Sequence, residues 1–162
     1  MKFSWKIFFI TFLIIITSFG VGGFLLINTV FTNTLNNRID SAKKNNNYIT
    51  TALSVYADNN QPTYGNLEYL RVSAIGFAKQ IAGNSDSKIK IGSINKLSFS
   101  AENEFVHGMS VNSRKSRVVT ENKKYYIQTI SKIQLVTKSC YIETVDNITS
   151  VYSDRDMYCT IY

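Results

Sequence analysis

One histidine, one proline and two cysteines occur among the 162 residues, and each scarcity excludes something. With His107 alone, a histidine-based metal centre or a Ser/His/Asp site has a single possible anchor. No serine sits in a nucleophile elbow. Cys140 and Cys159 form no CxxC pattern. They could pair in an oxidising exterior, but their spacing matches no disulfide framework, and unpaired, half-buried thiols are the favoured reading. No catalytic residue, metal or cofactor is expected. A lone proline, Pro62, beside ten Phe and ten Tyr argues for a folded domain and not a disordered stalk. Acidic clusters are lacking as well, which disfavours cationic or divalent ligands. An anionic, neutral or protein signal fits better.

Charge itself is missing from one long stretch. After Lys6 the next charged residue is Arg38, and residues 7–27 (IFFITFLIIITSFGVGGFLLI) are a 21-residue apolar run. As a helix the run is roughly 31 Å long, the thickness of a bilayer core. In lipid a single segment satisfies its backbone polar groups only as a helix, so its β-branched residues do not argue otherwise. Lys2 and Lys6 place residues 1–6 in the cytoplasm and residues 28–162 outside, in a protein of the cell membrane. A cleaved signal peptide would have a shorter apolar core and a small-residue cleavage site, so retention as an anchor is expected. Ser18 and Gly22 have the spacing that lets two such helices approach closely.

Beyond the anchor, about 130 residues suffice for one domain. Lys2 and Lys6 apart, 16 basic residues face 11 acidic ones, a net of +5. A solvated surface explains scattered charges of this kind, although contact with anionic membrane lipid is compatible with them. No nucleic-acid partner is expected for a domain that faces outward.

The pattern then reads as α+β. Residues 28–59 continue as a leading helix. Leu35, Ile39, Ala42, Asn46, Ile49, Leu53 and Tyr56 form a heptad stripe along it. Such a stripe could pair two copies in a parallel homodimer, with Asn46 fixing register, or it could pack on the domain's own sheet. Pro62 interrupts the helix, and a second helix is expected over 66–82. From residue 87 the period changes to two. Strands are expected at 88–91, 97–101, 117–120, 124–132 and 139–145, the last three as an antiparallel meander. An exit helix, capped by Asp146 or Asn147, covers 147–162. Asp154 and Asp156 beside Arg155 read as a solvated ion-pair cluster.

A ligand site, if present, lies on the sheet face opposite the helices. Tyr126 and Gln128 share one face of their strand, and His107, Arg114 and Arg117 are near in sequence. These five are the candidate ligand-binding residues, with core packing as the alternative role for the tyrosines.

Two stretches carry a resemblance: 125–129 (YYIQT) and 141–156 (YIETVDNITSVYSDRD). With the order of elements, they resemble the N-terminal region of a bacterial sensor histidine kinase of the two-component type. Passages of the form strand, D-x-[IV]-[ST], Y-x-D-R occur just before the second transmembrane helix in low-GC Gram-positive members. The resemblance implies a PAS-like (PDC or Cache-type) sensory domain between leading and exit helices. It departs from a whole kinase: there is no second apolar span, no phosphoacceptor histidine block and no ATP-binding glycine-rich box. The chain as given is therefore not expected to be an enzyme, although its parent would be a kinase. Rival readings are a single-pass membrane-anchored binding protein and the sensor of a chemoreceptor or cyclase.

Overall fold

Because no charge or proline interrupts residues 7–37, a helix started in the apolar run has no reason to stop at its end. In the computed structural model one helix runs from Lys2 to Asn60, so the apolar run and the leading helix are continuous. The structure describes residues 2–60, 72–73, 76–77, 80, 87–99, 105–135 and 138–161. Residues 72–73, 76–77 and 80 are helical; the remainder of the expected second helix, and Pro62, lie outside the described residues.

The chain divides into two units, Met1–Asn37 with Thr149–Tyr162, and Arg38–Ile148. In the first, the side chains from Trp5 to Gly22 are all exposed, with Phe19 at 74%. This one helix is long and apolar enough to be a membrane span. Two of its hydroxyls bond back to the helix: Thr11 donates to the Ile7 carbonyl at 2.9 Å and Thr17 to that of Leu13 at 2.9 Å. A C-terminal helix, Thr149–Ile161, lies beside the first. Tyr152 meets Phe31 edge to face, with ring centroids 5.1 Å apart. The Arg155 guanidinium lies 4.8 Å from the Phe31 centroid and 5.4 Å from that of Tyr152, while its Nη2 donates to Asp156 at 2.8 Å.

The second unit is built on a four-stranded antiparallel sheet: β1 Lys88–Gly92, β2 Arg114–Glu121, β3 Lys124–Leu135 and β4 Lys138–Asn147, in the order β1-β4-β3-β2. β2 and β3 join through Asn122-Lys123, whose φ values are 50° and 61°. Positive φ at both central residues is what a two-residue hairpin demands. The expected strand at 97–101 is not found where it is described. Residues 97–99 form bends after a short 3-10 turn, Ile94–Lys96, because Ser98 turns its N–H toward a buried carboxylate instead of a strand neighbour. Strand β4 runs to Asn147, and the helix begins two residues later than expected.

One face of the sheet takes the first helix. Ile49, Leu53 and Ala57 pack with Ile91, Ile133, Leu135 and Ile142. Period-two alternation in the strands and the 3-4 spacing of the helix meet here. The heptad stripe is thus occupied within one chain: Ala42, Asn46, Ile49 and Leu53 are buried, and Ile39 and Tyr56 half-buried, in this unit. Asn46 is fully buried and bonds to the chain's own sheet. In the other unit, Leu35 is half-buried. Cys140 is half-buried beside the core and Cys159 is exposed.

Candidate functional site

Strand registers decide which polar side chains can meet. Arg117 of β2 stands opposite Gln128 of β3, and Glu143 of β4 stands opposite Ile130. All four lie on the sheet face away from the first helix. There Arg117 Nε donates to Gln128 Oε1 at 2.7 Å. Gln128 Nε2 donates in turn to Glu143 Oε1 at 2.9 Å. The second carboxylate oxygen accepts the Ser98 N–H at 2.6 Å. A cation and a carboxylate are thereby joined across three strands by one oriented amide. Gln128 and Glu143 have no exposure at all, and a charge so placed is tolerable only with such partners.

Residues 93–99 and 105–113 cover this face. Val106 and Met109 pack on Ile130, with Ile94, Leu97, Phe105 and Tyr141 around them. The Phe105 ring lies under the Arg117 guanidinium, 4.5 Å from its centroid. Gly108, at φ 68°, turns the cover back, and the Met109 carbonyl accepts from Lys132 Nζ at 3.1 Å. This part of the face is covered by the chain itself.

Of the five residues singled out from sequence, Arg117, Tyr126 and Gln128 share this face. Tyr126 lies at its end, 6.0 Å from the Phe99 ring by centroids. His107 is exposed on the cover turn. Arg114 falls on the opposite face, because strand residues three apart alternate sides. It joins the helix instead. Its Nε donates to Asn46 Oδ1 at 2.8 Å and Ser131 Oγ at 3.1 Å, and its Nη2 to Asn47 Oδ1 at 2.8 Å and Thr50 Oγ1 at 3.1 Å. Asn46 completes the clamp through Thr144 Oγ1 at 3.2 Å and a hydrogen bond from Ser131. Burial pulls the Arg114 guanidinium below its usual pKa.

Sequence reasoning missed Glu143, Ser98 and Phe105. Glu143 had a signal: it is the one charge inside the apolar run Tyr141-Ile142-Glu143-Thr144-Val145. At the end of β4, Asp146 accepts from the Ser87 hydroxyl through Oδ1, while its buried Oδ2 has no partner. Burial raises its carboxyl above the usual range, with Ser87 pulling partly the other way. Among the described residues no nucleophile and base converge. Comparison with known protein families, curated proteins and solved structures finds no match for this chain.

Proposed function

We propose that this chain is the membrane anchor and extracytoplasmic PAS-like sensory region of a bacterial two-component sensor histidine kinase. Residues 1–6 lie in the cytoplasm, 7–27 cross the bilayer and 28–162 lie outside. The observation that carries the reading is the helix pair of the first unit. The helix that follows β4 runs beside residues 22–34 of the first helix, with Tyr152 and Arg155 against Phe31. A domain whose last helix returns along its own anchor suits a device that delivers outside events to the bilayer.

The signal would act on the sheet. An anionic or neutral ligand that engages Arg117 competes with Gln128 for the guanidinium and so disturbs Glu143 and the segment closed over it. On the other face the Arg114–Asn46 clamp ties three strands to the first helix. A change in the sheet is then a force on that helix. A homodimer, through surfaces other than Asn46, would carry the output.

The deciding experiment is autophosphorylation of the full-length gene product in membranes. Transfer of labelled phosphate from ATP to a histidine in a segment beyond residue 162 is the expected result. A coding sequence with no second apolar span would instead leave a single-pass binding protein. A second span followed by a methyl-accepting or cyclase domain would leave a different receptor.

A further inference from the structure

The tyrosine, aspartate and arginine at 152, 154 and 155 were noted in sequence for their pattern alone. In the structure Asp154 and Arg155 stand at the rim of a groove of about 540 Å³ between the two helices of the first unit. Gly22, Gly23, Leu26, Val30 and Tyr158 also line it. The space is open: a Cβ placed on Gly22 would meet nothing within 4 Å.

The groove changes character along its length. Gly22, Gly23 and Leu26 belong to the last turns of the uncharged run, at the depth of hydrocarbon if residues 7–27 span the bilayer. Arg155 lies against Phe31, four residues beyond the run's last residue, Ile27, where headgroups lie if the run spans the bilayer. The guanidinium is already aimed by Phe31, Tyr152 and Asp156, so little side-chain freedom remains to be lost on binding. A rim bearing both signs over an apolar wall is complementary to one molecule of the bilayer itself. An acyl chain fills the wall, a phosphate meets Arg155 and an ammonium meets Asp154.

We infer that this groove holds one zwitterionic phospholipid, such as phosphatidylethanolamine, which bridges the anchor and the C-terminal helix. The inference rests on the reading of residues 7–27 as a span.

The test uses the full chain in vesicles containing phosphatidylethanolamine with a photoreactive acyl chain. Diacylglycerol carrying the same chain is the headgroup-free control, and phosphatidylglycerol the anionic one. Labelling should map to residues 22–30 and 151–158 and should exceed that with either control. Gly22→Leu, which fills the groove, should abolish it. Arg155→Gln should lower the phosphatidylethanolamine signal roughly tenfold, the loss of one charge-assisted hydrogen bond, and leave diacylglycerol unchanged. Equal labelling by all three probes, or undiminished labelling of Gly22→Leu, overturns the inference. So does cross-linking of the groove residues to a second copy. Accessibility of an outer cysteine at position 121 reports the span separately. If that cysteine is outside and the lipid does not label, the groove proposal alone fails.

Discussion

Gln128 shows how much can hang on one amide. Its two ends point opposite ways, accepting from Arg117 and donating to Glu143, and no isostere reproduces both. Gln128→Leu should destabilise the protein by about 1.5–3 kcal/mol, since a buried carboxylate loses one of its two donors. Urea denaturation of the detergent-solubilised chain measures it, and an unchanged midpoint would mean the polar chain is dispensable. Asp146 makes a prediction of a different kind. Its raised carboxyl keeps a proton in the folded state that the unfolded chain gives up. Its stabilising contribution is therefore full in acid, below the usual carboxylate range, and is lost as pH rises through the folded value. Asp146→Asn should remove that part of the fall. Parallel stability–pH curves for the two proteins would rule it out.

At the scale of elements, the first helix and the sheet are joined by two unlike contacts. Apolar packing around Ile49 and Leu53 resists separation, whereas the clamp at Asn46 resists sliding, because its partners sit on three different strands. Ile142→Ala, at a residue with no exposure, should cost about 2–5 kcal/mol. Asn46→Leu should cost less than that and should broaden the helix's axial position. Distances between spin labels on the helix and on β3 would report the broadening, and an unchanged width would deny the clamp its role. These elements were legible because their periods are strong: 3-4 spacing from Ala42 to Leu53, alternation through β3 and β4, and the uncharged run. The partner of the stripe was not legible, since a heptad seam and a sheet-facing stripe bury the same positions. Nor was the fate of residues 97–99, where alternating Leu-Ser-Phe looks like a strand until Glu143 captures Ser98. Arg114 and Arg117 looked alike in sequence, and only register separates their faces.

For the whole molecule the sharpest expectation is sidedness. Glu121→Cys, at an exposed hairpin position, should react with an impermeant thiol reagent in intact cells when Cys140 and Cys159 are replaced by serine. Reaction only after lysis would reverse the orientation inferred from Lys2 and Lys6.

The strand order sets a timetable as well as a shape. β2, β3 and β4 follow one another in the chain and close by short connections, so they can pair as soon as they collapse. β1 precedes them, yet among the described residues its sheet neighbour is β4, and the loop it must close contains both β2 and β3. It should dock last and leave first. In hydrogen exchange the amides of Lys88–Gly92 should lose protection at a lower opening free energy than those of residues 127–131. The edge that holds Glu143's own strand on its outer side is then the part of the sheet that opens most readily.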